Sequence, residues 1–179
     1  FAKAQKNDWN DALAIAEAAR RPGRHAVGIK SEEQLDMQAL HRVRQRLVTA
    51  RTAIINQLRG LLRERGLVAP PGRARFERFV QTELIEGRND LSPVSRALFA
   101  TLIAEYESIN GQVCEIDREL DAFAKSNPLC RALLPIPGIG VIVATALYSA
   151  VANISDFRSG RDLAAFLGLV PRQRSTGGR

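Results

Sequence analysis

Apolar residues recur along most of the chain at steps of three and four, the spacing of one helix face. From about Asp8 the alanines with Leu13 and Ile15 predict a first helix. Ser31, with Gln34 three residues on, has the form of a capping box. It opens a second helix running to about Arg65, with Leu40, Val43, Leu47, Ala50, Ile54, Leu58 and Leu61 on its face. Gly66 and then Pro70-Pro71 end it. At about 1.5 Å per residue it would be roughly 50 Å long. Arg73 to Glu86 carries Phe76, Phe79, Val80, Leu84 and Ile85, a short amphipathic helix, and Gly87 to Asp90 is a turn. Ser92-Pro93 starts another long helix. There Leu102, Tyr106, Ile109, Val113, Ile116, Leu120 and Phe123 alternate steps of four and three, coiled-coil spacing over three heptads. The two long helices should pack as an antiparallel pair, although the same face would equally join two subunits.

Asn127-Pro128 starts the next helix. The stretch from Leu133 to Leu147 reads LLPIPGIGVIVATAL, two apolar segments meeting at Pro137-Gly138-Ile139-Gly140. Prolines end the helix before the turn, and the glycines permit backbone angles that a side chain forbids. The pattern is that of a helix-hairpin-helix, whose turn bares N–H groups to an anion such as a nucleic-acid phosphate. An ordinary helix corner with a glycine cap reads the same way. The second hairpin helix should run to about Ala152. A loop from Asn153 to Gly160 follows, with Asp156 or Ser159 able to cap a short helix over Leu163 to Leu167, which Gly168 ends.

Charge narrows the class of partner. The chain of 179 residues, enough for one or two domains, has a net charge of +7, a pI near 10.2 and few aromatics, which favours a polyanion. Its ends, Phe1 without a Met and Arg179 after two glycines, read as those of a fragment. No apolar run reaches membrane-spanning length and no signal peptide is present, so the expectation is no membrane and a cytoplasmic location. Cys114 and Cys130 form no metal-type pair and read as reduced thiols.

Between residues 40 and 75 stand nine arginines (42, 44, 46, 51, 59, 63, 65, 73 and 75) against one acid, Glu64. The later long helix is acidic on its outer face, with Glu105, Glu107, Glu115, Asp117, Glu119 and Asp121. Either the two sets pair or face water, or the surplus arginines hold nucleic acid. For the second reading the candidates are Arg42, Arg46, Arg59 and Arg63, with Gly138, Ile139 and Gly140 of the hairpin turn. Asp8 and Asp11 lie one helical turn apart, so both carboxylates share a face and could share a divalent metal. Alternatively Asp8 caps the helix and Asp11 sits in its favourable first turn. His25 and His41 are isolated and receive no role. Near the end, Ser175 and Thr176 precede Gly177-Gly178, with Arg172 and Arg174 beside them. This is either a flexible basic loop or a serine nucleophile in a positive field.

The order KND-x-x-DA, a long helical pair, PGIG, then GLVPRQRSTGG resembles the DEDD-type bacterial transposases of the insertion-sequence one-hundred-ten family. These are bridge-RNA-guided recombinases related to the Piv invertases. The resemblance covers essentially the whole chain. It implies a mainly α fold: residues 1–29 as the C-terminal helix of a RuvC-like domain, 30–125 as a long antiparallel coiled coil, and 126–179 as a helix-hairpin-helix at the start of a serine transposase domain. It implies Asp8 and Asp11 as the last two of four Mg²⁺-binding acids, the first two lying upstream of this chain. It implies a catalytic serine at Ser175, with Thr176 as the neighbouring alternative. Arg172 and Arg174 would then contact nucleic acid. DNA, a structured guide RNA and a homo-oligomer, dimer or tetramer, are the implied partners, in the nucleoid of a bacterial cytoplasm. The parent would cleave and rejoin DNA, and this fragment alone, with half its acids, would be inactive. The rival reading is a non-catalytic nucleic-acid-binding adaptor. A third is a coiled-coil oligomerisation unit with purely structural charges.

Overall fold

The computed structural model describes residues 7–21, 28–85 and 91–169, and what it describes is mainly helical. Two compact units emerge, one of residues 32–150 and one of residues 1–31 with 151–179.

The larger unit is built on two long helices, α2 (Glu32–Arg63) and α4 (Pro93–Ser126), with the short α3 (Arg73–Phe79) between them in sequence. Cross-contacts run Arg44 to Asp117, Arg51 to Asn110 and Arg65 to Ser95, so the pair is antiparallel. At about 1.5 Å per residue α2 is about 48 Å long. It ends by backbone chemistry: the Gly66 N–H donates to the Arg63 carbonyl and the Leu67 N–H reaches back to that of Leu62. That double closure needs a left-handed residue, and Gly66 takes φ +77°. Leu67 then packs on the core it has turned toward.

That core joins Ile54, Ile55, Leu58 and Leu62 of α2 to Phe76, Val80, and Phe99, Leu102 and Tyr106 of α4. After Phe79 the backbone widens into a π-helical stretch, Val80–Ile85. The amphipathic helix expected over Arg73 to Glu86 is therefore two geometries in succession. The turn expected at 87–90 lies outside the described residues. Ser92 caps α4 through the Ser95 N–H, with Pro93 in the first turn, as the sequence predicts.

A second core closes the other end. Asn127 ends α4 and caps α5 (Pro128–Leu133), accepting from the Leu129 and Cys130 N–H groups. The chain turns through Pro135 to Gly140 into α6 (Val141–Ala150), two residues shorter than expected. Ala124, Cys130 and Ala144 are fully buried there, and the Phe123 and Tyr148 rings meet at a tilt with centroids 5.1 Å apart. Both α5 and α6 pack on α4, and α6 also packs on α2.

In the other unit, α1 (Asp8–Arg20) has no buried residue and exposes Trp9, Leu13 and Ile15. Its cap is Asn7, whose side chain accepts from the Asn10 N–H, which corrects the alternative that Asp8 does the capping. Asp8 and Asp11 both sit in the first turn. Elsewhere in this unit the Gly28 N–H donates to Asp156 at 3.2 Å, and Ser159 caps α7 (Gly160–Phe166). Phe157 and Phe166 meet edge to face.

Candidate functional site

Three groups of residues carry chemistry, and each begins with local sequence. The first is the pair of acids on α1. Lying three apart in the first helical turn, they present two carboxylates side by side at the positive end of the helix, and both residues are exposed. Among the described residues no cluster of three or more metal-binding side chains forms. Asp8 and Asp11 are thus two oxygen donors of the hard type that Mg²⁺ prefers, short of a full set.

The second is the hairpin turn. Gly138 adopts φ +87°, which a side chain would oppose, and the Ile139 N–H donates back to the Ile136 carbonyl at 3.0 Å. That N–H closes the turn. The Gly140 carbonyl accepts the first helical bond of α6, from the Ala144 N–H. Gly138 and Gly140 are exposed, and nothing stands within 4 Å of where a Cβ would be on either.

The third is the basic surface of α2. Arg42, Arg46 and Arg63 are exposed. At about 100° per residue Arg42 lies on the side of α2 away from the core positions Leu47, Ile54 and Leu58, and Arg46 lies on the flank. Arg59 is different. It donates to the carbonyls of Pro70 and Gly72 and lies over the Phe76 ring at 5.3 Å, bracing the turn into α3. Arg44 pairs with Asp117 across the helices at 2.5 Å. Arg51, which is not among the four candidate arginines of the sequence, reaches Asn110. The heptad step from 44 to 51 on α2, matched by 117 to 110 on α4, is the sequence signal for it.

His41, left without a role by the sequence, belongs to a polar seam between α2 and α6. Its Nε2 lies 3.0 Å from the Thr145 hydroxyl, which donates its own proton to the Val141 carbonyl. The imidazole is therefore the donor in that contact. Gln34 donates to the Tyr148 carbonyl and the Tyr148 hydroxyl to Glu33. Burial first, and the nearby Arg44 charge second, hold the His41 pKa below its ordinary 6.5. A lowered histidine pKa makes the unfolded chain bind protons first, so stability falls as pH drops below 6.5 and levels off below the folded value. His41→Gln should remove that part of the pH dependence, checked by urea unfolding across the window. Identical slopes in both proteins would exclude His41 as its source. Cys130 is buried, and burial with the Glu33 charge pushes its thiol up, while Cys114 is exposed. Both are free, as expected.

Ser175, Thr176, Arg172 and Arg174 lie outside the described residues, as does His25.

Comparison with known proteins bears on both ends of the chain. A family model for the transposases of the IS116/IS110/IS902 family matches residues 130–179, which include the hairpin and the serine. A DEDD-type transposase model of the IS110 group matches residues 1–65, which include both acids. The chain belongs to the IS110 family of transposases. Over its full length it is 41% identical to the transposase for insertion sequence element IS1111A of Coxiella burnetii, covering 49% of that protein. It is 41% identical to a probable family 20 transposase of Pseudomonas aeruginosa and 40% to the IS1328 transposase of Yersinia enterocolitica, covering 53% of each. The chain thus spans about half the length of these relatives. No solved structure matches it. No helix among the described residues is long and apolar enough to cross a membrane.

Proposed function

We propose that this chain is the central part of a DNA transposase that cleaves and rejoins DNA strands with two acids of a RuvC-like, Mg²⁺-dependent site and a serine nucleophile. The observation that carries this reading is the pair Asp8 and Asp11, exposed on one helical turn, within the segment that the DEDD-type transposase model matches. Their oxygen chemistry fits Mg²⁺, with further acids needed to complete the site. Asp8 and Asp11 would hold the ion, which when bound supplies a Lewis acid toward a phosphodiester. The hydroxyl of Ser175, or of Thr176 in the neighbouring register, gives up its proton and attacks the phosphorus; one deoxyribose P–O bond breaks, its oxygen takes a proton and leaves as a free strand-end hydroxyl, and the other strand end stays linked to the protein through the phosphate. Arg172 and Arg174 stabilise the negative charge of that step.

The rest of the chain binds and spaces. The helix pair α2 and α4 acts as a coiled coil, and its outer arginines, Arg42, Arg46 and Arg63, track a nucleic-acid backbone. The turn at Gly138 to Gly140 acts as a helix-hairpin-helix contact through its exposed glycines. Arg59 serves these contacts indirectly by fixing the turn into α3. A structured guide RNA and a homo-oligomer, dimer or tetramer, complete the assembly, in a bacterial cytoplasm and associated with the nucleoid.

The test uses the full-length parent with guide RNA, its element's DNA and Mg²⁺. A protein–DNA adduct that survives denaturation is expected, lost on chelation of the metal and in Asp11→Asn. Tight binding without any adduct would instead leave the non-catalytic adaptor.

A further inference from the structure

Asn110 on α4 is the meeting point of two arginines from different helices. Arg51 of α2 donates to its side-chain oxygen at 2.8 Å, and Arg73 of α3 approaches the same atom at 3.4 Å. One heptad away the equivalent place on the seam is Asp117, a full negative charge, and there a single arginine, Arg44, is paired with it. At Asn110 the arrangement is inverted: the acceptor is neutral and the cations are doubled. Glu77 is the carboxylate at this place. It accepts the Tyr106 hydroxyl and stands 3.7 Å from Arg73. Of the two guanidiniums Arg73 has Glu77 within ion-pair distance, and each has five donors of which Asn110 takes one.

The place is open. The Arg73 side chain is 51% exposed, and beside Asn110 a Cβ built on Gly111 would meet nothing within 4 Å. The Tyr106 hydroxyl, pushed up to about 12 mainly by burial and then by Glu77, feels both Arg73 and Arg51 pulling the other way.

We propose that Arg51, Arg73 and Asn110 form a binding site for one phosphate of a nucleic-acid backbone. Two guanidiniums held on a common amide oxygen each keep further N–H donors that a phosphodiester can accept from, and a planar guanidinium fork suits phosphate. This rests on the nucleic-acid-binding reading above and adds a position of another kind. Arg42 and Arg46 belong to one helix, whereas this site exists only once α2, α3 and α4 have packed.

The same contacts would also serve simply to tie α3 to the long pair, and Asn110→Asp separates the two roles. A carboxylate there satisfies both arginines, so melting temperature should hold or rise in either case. Only a phosphate site loses affinity. Binding of the 179-residue chain to a short DNA duplex, and to an RNA duplex of the same length, would be followed by fluorescence anisotropy over a salt series. For Asn110→Asp and for Arg73→Gln the expected result is affinity lower by about five- to ten-fold. The salt slope for DNA should be shallower by about 0.9, one phosphate's worth. A loss confined to one duplex assigns the phosphate to that nucleic acid. Unchanged affinity and slope in Asn110→Asp, with Arg42→Gln still weakening binding, overturns this site and leaves the broader reading standing. No binding of either duplex by the unsubstituted chain overturns both.

Discussion

Ser175→Ala in the full-length parent should abolish the denaturation-resistant protein–DNA adduct, a loss of at least about a thousand-fold in its rate of formation. A covalent link needs an oxygen that bonds to phosphorus, and alanine has none to offer. A serine hydroxyl is also a weak nucleophile at neutral pH, so its surroundings must favour the alkoxide. Arg172 and Arg174 bring positive charge within three residues of it. The measurement is a denaturing gel of labelled DNA, with a native binding assay in parallel so that a folding defect is not mistaken for lost chemistry. Thr176→Ala should leave the adduct in place. If the adduct instead survives Ser175→Ala and disappears with Thr176→Ala, the nucleophile lies one residue further on.

The second large effect concerns the fold. Leu58 is 0% exposed, at the centre of the cluster that includes Ile54, Phe76, Phe99 and Leu102. Leu58→Ala removes buried methyl groups from a site enclosed by three helices, which leaves little room for collapse. The expected cost is about 3–4 kcal/mol, a large share of the ~5–15 kcal/mol that holds a typical domain folded. Urea unfolding would show it as a lowered midpoint with an unchanged slope. Ile136→Ala, at a position 47% exposed in the hairpin turn, should cost less than about 1 kcal/mol. Comparable losses at the two positions would mean that the core is not where the buried surface places it.

Period and punctuation made most of the helices legible. On α4 the regular alternation does mark the inner face: Leu102, Tyr106, Val113 and Leu120 are buried. Ile109, Ile116 and Phe123, from the same series, are only partly covered, because a seam between two helices is narrower than a heptad pattern implies. Helix starts were legible where a proline follows the capping residue, as at Ser92-Pro93 and Asn127-Pro128. At α1 the choice between Asn7 and Asp8 was not, since neighbouring residues of similar chemistry compete for one position. The π-helical widening after Phe79 has no periodic signature, because its spacing follows how Val80 is drawn into the core.

The candidate site was less legible than the fold for a related reason. A run of arginines states how much charge there is, and packing decides where it points. Arg59 stands in the arginine run as a candidate nucleic-acid contact, yet its guanidinium is engaged with the carbonyls of Pro70 and Gly72. Arg51 and Arg73 of the same run converge on Asn110. Both outcomes depend on partners distant in sequence that no local pattern names.

The register of the long pair has one more consequence. Arg44 opposite Asp117 and Arg51 opposite Asn110 step by seven residues forward on α2 and seven back on α4. An insertion of one residue in either helix would swing every later side chain about 100° off the seam. Matched additions or removals of seven in both helices restore it, each changing the reach of the pair by about 10 Å. Over this stretch the pair is therefore a ruler graduated in heptads, whose seam survives a change of length only in paired, quantised steps.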